Sequence, residues 1–292
     1  MNEAKKRILI TGATGQVGRL LIPYLKGHNS IEVVAGARTP EKATALGIPA
    51  VYLDLDNVDS MLPAFTGVDR IFLITGYTVD MLRQSKDVVD IAKKAGVEQI
   101  VHLGACGDDD THVGHYGWHQ FIERYISSSG IPFYTHLRPE IFMQNLLGYG
   151  GENFVKQGVI HQYIGDARLS WVDCDDVAAA SAAALLDPRK HHGQIYRMGY
   201  EAKTYNEIAD LMTKILGQPF RYQTHPAEEF LKKVLEAGGE PAYMKCVYEC
   251  YRDLTKGNLI GDDVQDNFPT IAGKQPRTLT DFIKANASAF RY

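Results

Sequence analysis

Arg7-Ile8-Leu9-Ile10-Thr11-Gly12-Ala13-Thr14-Gly15-Gln16-Val17-Gly18 is the stretch on which the fold of this chain turns. A largely apolar run ends in a glycine-rich turn, and a helical stretch, Arg19-Leu20-Leu21-Ile22-Pro23-Tyr24-Leu25, starts at once. Gly12 allows a sharp turn, and Gly15 removes a side chain where a pyrophosphate has to approach backbone N–H groups. Gly18 lets the new helix pack closely on the sheet. The unpaired N–H groups at the start of that helix make the spot attractive to phosphate. Three glycines at this spacing mean little alone; between a strand and a helix they predict a dinucleotide site.

Outward from this unit the chain alternates strands and helices. Ile31–Arg38 reads as a second strand, and Thr39-Pro40-Glu41-Lys42 as a helix start with Thr39 as N-cap. Ala50–Asp54 is a third strand, Val58–Phe65 a helix and Arg70–Thr75 a fourth strand, apolar enough to be covered on both faces. Val79–Ala95 forms an amphipathic helix stopped by Gly96. Val97–Gly104 is a fifth strand, Tyr116–Ser129 a helix and Ile131–Arg138 a sixth strand. This order predicts an α/β fold: a Rossmann-type, doubly wound parallel sheet.

Beyond Gly150 the rhythm changes. Short strands at Val159–Ile164, Leu169–Val172 and Gln194–Met198 separate helices at Asp173–Leu186 and Tyr205–Leu216, with further helices at Pro226–Ala237 and Pro241–Lys256. The expected division is a cofactor domain over 1–150 and a smaller, mostly helical substrate region over 151–292, partly returning to the sheet.

Composition removes several function classes. The chain has 292 residues, 45% of them hydrophobic, and a net charge of −4 with no basic stripe for nucleic acid or an anionic membrane. The start runs straight into a strand without a signal-like segment, and the longest apolar stretch, Val177–Leu186, is too short to span a bilayer. Four cysteines (Cys106, Cys174, Cys246 and Cys250) lack a disulfide-framework spacing and fit reduced thiols in the cytoplasm. Cys246 and Cys250, on one helix face, read as packing residues. No metal is expected: Asp108, Asp109, Asp110 and His112 read more simply as a solvated acidic loop.

The end of the second strand selects the nicotinamide cofactor. An acid there would bind the ribose 2′-hydroxyl of NAD, a base the 2′-phosphate of NADP. Glu32 opens the strand, at the wrong end; Arg38 closes it, with Lys42 one helical turn on. NADP(H) is expected over NAD(H). Asp54 stands where it could meet the adenine amino group, or where a plain turn needs a carboxylate.

A carbonyl-reducing short-chain dehydrogenase wants Tyr and Lys four residues apart on the helix after the fifth strand. Here Tyr116 is followed by Gln120, and the position that often supplies serine reads Gly104-Ala105-Cys106. That proton relay is absent. His115 and His119 stand in the same region, one turn apart, with Tyr116 and Trp118 alongside.

With these residues in view, the chain resembles the NmrA-like group of atypical short-chain dehydrogenases, and within it the bacterial quinone, azo-dye and triphenylmethane-dye reductases. Thr11–Gly18, Ala37–Ala43, His119–Ile126, Ser129–Pro139, Val172–Ala178 and Tyr205–Ala209 carry the resemblance, which is convincing to about Ile215. It implies an NADPH site made by Gly12, Ala13, Thr14, Gly15, Gln16, Val17, Arg38, Thr75, Gly76, Tyr77, Gly104 and Ala105. Isoflavone-reductase-like relatives place a catalytic lysine at the position of His115 or His119. The isoflavone-reductase alignment favours His119, whereas the quinone and dye reductases typically carry the histidine matching His115. With Tyr116, these are the candidate catalytic residues.

The implied chemistry suits a site without a strong acid. A quinone, azo bond or triarylmethane cation takes hydride into a delocalised system, so catalysis rests on holding two flat groups face to face. Tyr77, Trp118, Phe142, Met143 and Tyr149 are the candidate substrate residues, with ordinary core packing the simpler reading of Phe142 and Met143. The expected activity is an NADPH-dependent oxidoreductase acting on a small aromatic or quinonoid substrate; the alternative is a non-catalytic NADP-binding sensor of the NmrA type. A homodimer is the assembly left open.

Overall fold

The computed structural model describes residues 5–148 and 153–292. The first half runs β1 (Lys6–Thr11), α1 (Gln16–Lys26), β2 (Ile31–Ala37), α2 (Pro40–Thr44), β3 (Ala50–Tyr52), a 3-10 turn (Val58–Ser60), α3 (Met61–Phe65) and β4 (Arg70–Leu73). It continues with α4 (Met81–Ala95), β5 (Gln99–Leu103), α5 (Gly114–Ser128) and β6 (Phe133–Pro139). Then follow β7 (Ile141–Phe142), a 3-10 segment (Met143–Leu147), β8 (Val155–Lys156), β9 (Val159–Gln162), β10 (Leu169–Val172), α6 (Cys174–Leu186), α7 (Pro188–His191) and β11 (Gln194–Met198). The chain closes with β12 (Glu201–Lys203), α8 (Tyr205–Leu216), β13 (Arg221–Thr224), α9 (Ala227–Glu236), α10 (Pro241–Lys256), α11 (Phe268–Ala272), α12 (Leu279–Ala285) and α13 (Ala287–Phe290).

One compact unit holds the chain up to His112, Tyr116–Arg138 and Val177–Tyr196. Its sheet has the order β11-β6-β5-β4-β1-β2-β3, with β1 through β6 paired parallel. The strand order reverses between β1 and β4, and at such a switch point the loops leaving the strands part and open a crevice. Thr11 ties this point together: its hydroxyl bonds the Ile74 carbonyl at 2.9 Å and accepts the Ile74 N–H at 2.7 Å. β4 and β5 are buried along their length and β1 from Ile8 onward, as a sheet covered on both faces requires.

The second unit comprises Val113–His115, Pro139–Asp176 and Arg197–Tyr292. It carries two three-stranded sheets, β12-β10-β7 and β13-β9-β8, and helices α8 to α13. Thr204 and Glu207 form a reciprocal capping box at the start of α8.

The chain passes out of the sheet unit at Pro139, and residues 177–196 belong to it again. The reason is α6: its buried alanines let it lie close to the sheet, where Gln99 donates to the Ala184 carbonyl at 2.8 Å and Arg70 to that of Leu185. Val58–Phe65 is not one helix. Pro63 has no N–H to give the carbonyl four residues earlier, and the first turn tightens to 3-10. Thr39 occupies the N-cap position of α2 without a side-chain capping bond. The short strands β7, β8, β12 and β13 escaped the sequence reading because two to four residues carry no usable alternation. No helix among the described residues is long and apolar enough to cross a membrane.

Candidate active site

The glycine loop is built as the residue types demand. Gly12 has φ +63°, a left-handed conformation that disfavours a side chain, and its carbonyl accepts the Gly15 N–H at 2.9 Å. A methyl group on Gly18 would lie 2.4 Å from the Gly12 carbonyl oxygen and 2.9 Å from the Ala13 Cα, so only glycine lets α1 sit this close to the loop. Ala13 and Val17 are buried and anchor the turn, while Thr14 and Gly15 face solvent. Gly15 is the N-cap of α1, no side chain caps that end, and no acid stands in the first turn. The helix therefore presents a positive end that neither a capping side chain nor a carboxylate neutralises.

The other expected cofactor residues follow strand ends in the same unit. Arg38 and Lys42 are exposed, Arg38 directly after β2. The Asp54 carboxylate accepts the Asp56 N–H at 3.1 Å, and Ser60 bonds both the N–H and the carbonyl of Asp54 at 3.0 Å, so this residue shapes the turn after β3. After β4, Gly76 has open space where a side chain would go, and Tyr77 is 52% exposed. Gly104, after β5, is hemmed in: its N–H donates to the Leu137 carbonyl at 2.8 Å, and a methyl group there would lie 3.3 Å from the Glu123 Oε1.

His119 lies inside the sheet unit. Its Nδ1 is 3.3 Å from Nε2 of His102, whose ring meets His136 edge-on at 5.7 Å, and the His136 Nε2 lies 3.3 Å from the Ser127 hydroxyl. All three rings are buried. Burial, and for His102 also the charge of neighbouring His119, His136 and Arg138, pushes His102 well below the ordinary histidine range. Burial, then Arg138, lowers His136 to about 3. His102 and His136 are therefore neutral at pH 7, and all three rings pack between α5 and the strands.

Beside them Arg138 makes a buried ion pair with Glu123, at 2.6 Å from Nη2 to Oε2 with Nε 3.0 Å from Oε1. The same guanidinium donates to the Gly107 carbonyl at 3.0 Å and to Asp109 at 2.7 Å. Burial opposes its charge, yet the two carboxylates outweigh burial and raise its pKa. Arg138 in turn lowers that of Asp109. One side chain thus fastens β6, α5 and the loop after β5. Tyr116 packs over Gly107 of that loop, where a methyl group would come within 3.0 Å of its ring.

His115 belongs to the second unit. Its ring lies 5.2 Å from that of Tyr243 on α10, and burial lowers its pKa to about 4. The imidazole is neutral at pH 7: it can donate one hydrogen bond but holds no proton in reserve. Cys246, one turn after Tyr243, accepts the His115 backbone N–H at its thiol. Met143 is fully buried and fills the core of this unit, and Phe142 is half-buried. Gln144 bridges Asp173 at 2.6 Å and the Cys174 N–H at 3.0 Å, holding the 3-10 segment in place. Trp118 is half-buried in the sheet unit, and Tyr149 lies outside the described residues.

Sequence reading missed the Arg138–Glu123 pair, the histidines under α5 and the packing of Tyr243 of α10 on His115. The available signal was weak: His102 and His136 interrupt apolar strands, and Glu123 follows Ile122 on a face that includes Ile126.

The sequence model of the NmrA-like family matches residues 4–282. An NAD(P)H azoreductase of Xenophilus azovorans is 29% identical over 290 residues, covering 97% of this chain and 99% of its own. Quinone oxidoreductase 2 of Escherichia coli (strain K12) is 30% identical over 261 residues, 87% of this chain and 90% of its own. Among solved structures, the triphenylmethane reductase of Citrobacter sp. complexed with NADP(H) superposes with a TM-score of 0.81 at 25% identity, covering 96% of this chain and 99% of that one.

Proposed function

This chain belongs to the NmrA-like family, and from that premise we propose that it is an NADPH-dependent oxidoreductase delivering hydride to a flat conjugated acceptor: a quinone, an azo dye or a triarylmethane dye. The observation that carries the reading is the joint presence of a glycine loop under an uncapped helix end, an exposed Arg38, and a neutral histidine where a Tyr/Lys pair would stand.

The residues fit the dinucleotide. Gly12 to Val17 and the first N–H groups of α1 would hold the pyrophosphate, and Arg38 with Lys42 the 2′-phosphate. Thr75, Gly76, Tyr77, Gly104 and Ala105 would border the cofactor beyond the strand ends, with Asp54 supporting the adenine side through its turn. NADPH supplies the hydride when bound. The chain itself would orient the acceptor and exclude water: Tyr77, Trp118, Phe142, Met143 and Tyr149 are the candidate residues, of types whose flat or flexible side chains suit a flat acceptor. Tyr116 would meet the acceptor from the start of α5. His115, uncharged, steadies an acceptor oxygen or nitrogen by one donated hydrogen bond. His119, buried against His102, keeps α5 seated on the sheet.

Relatives covering nearly the whole chain carry names of NAD(P)H azo and quinone reductases, which supports the acceptor class. The test is NADPH oxidation by purified protein over a panel of quinones, azo dyes and triarylmethane dyes. Turnover with at least one class is expected. Tight NADPH binding with no turnover would sink the proposal in favour of the sensor reading. The proposal includes a cytoplasmic setting, and sedimentation separates a monomer from a homodimer.

A further inference from the structure

Helix α10 begins at Pro241 under a firm cap: the Glu240 carboxylate accepts the N–H groups of Ala242 and Tyr243 at 3.1 and 2.7 Å. That fixes the backbone of Tyr243, whose buried ring stands at 47° to the His115 imidazole. One turn along α10, Cys246 reaches the very start of α5. A methyl group on Gly114 would lie 2.7 Å from the Cys246 Sγ, yet 3.7 Å from its Cβ. The thiol also takes the N–H of His115. His115 is thus held at its ring by one residue of α10 and at its backbone by another, and the missing side chain at Gly114 is what allows the approach. The far end of the helix is braced as well: Tyr251 packs on Phe230 of α9 at 4.8 Å, and the Tyr248 hydroxyl bonds Glu228 at 3.2 Å.

We infer that Tyr243 and Cys246 are positioning residues for His115, and that through them α10 fixes how that imidazole is presented to the flat conjugated acceptor. This rests on the proposed reductase reading, in which His115 faces the acceptor. An imidazole that donates a single hydrogen bond works only if its ring is aimed, since misplacing a reacting group by about 1 Å can cost about a hundredfold in rate. Tyr243 aims the ring, and the Cys246–Gly114 contact sets the depth at which the start of α5 lies against α10.

The test is a suppressor cycle built on the one atom that makes the contact. Gly114→Ala drives a methyl group into the Cys246 Sγ, and Cys246→Ala removes that sulfur. Gly114→Ala is expected to lower kcat for quinone or dye by about tenfold or more at unchanged NADPH affinity, and the double variant to recover most of it. Tyr243→Ala is expected to lower kcat similarly for a quinone and a dye. Free of acceptor, it should let water reach His115 and raise the imidazole pKa from about 4 toward the ordinary 6.5, read by NMR on the resonance assigned with His115→Gln. Normal acceptor kinetics in Gly114→Ala and Tyr243→Ala, in a wild type that does turn over, would overturn the inference and leave the reductase reading intact. So would a defect in Gly114→Ala that Cys246→Ala does not relieve. A wild type that binds NADPH and reduces no acceptor overturns both.

Discussion

Glu123 of α5 meets Arg138 of β6 at 2.6 Å with both side chains buried, so the helix that follows the fifth strand is bolted to the sixth by a charged pair. Removing one partner of such a pair leaves the other as an uncompensated buried charge, at a cost of about 3–5 kcal/mol. Arg138→Met, which strands the Glu123 carboxylate, should destabilise the protein by about this amount in urea titrations. Glu123→Leu should cost less because Asp109 still pairs with Arg138, and the double variant less than Arg138→Met alone. Additive losses in the double variant would contradict this account.

Arg38 is the exposed cation at the end of β2. Arg38→Ala should weaken NADPH binding by about ten- to a hundredfold, the worth of a charge-assisted phosphate contact, and leave NADH nearly unchanged. Parallel titrations with the two cofactors decide it. An equal loss for both would remove Arg38 from the 2′-phosphate site.

Gly18 has no room for a methyl group beside the Gly12 carbonyl oxygen. Gly18→Ala must displace α1 or the loop, which should cost about 1–3 kcal/mol in stability and a larger share of NADPH affinity. Calorimetric binding together with thermal melting separates the two effects.

The two histidines of α5 should fail differently. His115→Ala is expected to lower turnover with unchanged NADPH affinity. His119→Ala should instead lower the melting temperature, because its ring fills buried space against His102. Steady-state kinetics and a melting curve on each variant give the answer.

Stability should fall on mild acidification. His115 and His136 are lowered to about 4 and about 3, and His102 is also lowered, whereas all three titrate near 6.5 when unfolded. A depressed histidine favours the unfolded chain as the more protonated state, so stability present above pH 6.5 is lost as pH falls toward the folded value. The loss is about 1.4 kcal/mol per pH unit for each histidine inside its window. Asp176, raised to about 6 by burial despite the Arg277 N–H and Lys274, works in the opposite sense between its unfolded and folded values. One carboxyl does not offset three imidazoles. The urea midpoint should drop between pH 7 and 5, and His136→Gln should flatten that slope.

Much of the fold was legible because its signals are local. Gly12, Gly15 and Gly18 between a strand and a helix specify a turn that other residues cannot make, and apolar runs such as Arg70–Leu73 and Gln99–Leu103 declare strands buried on both faces. Arg38 at the end of β2 and the absence of a Tyr/Lys pair are likewise properties of position along the chain.

What the sequence by itself determined was therefore the sheet, its order of elements and the cofactor loop, since backbone conformation and hydrophobic period depend on neighbours a few residues apart. Only the tertiary structure decided the histidines. His115 and His119 are four residues apart on one helix, yet one rests on Tyr243 and the other on His102, 128 and 17 positions away. Whether an imidazole is charged, aimed or merely packed depends on which rings and charges surround it. Those neighbours come from strands and helices that the chain brings together only by folding, as it does Arg138 with Glu123 and Cys246 with Gly114.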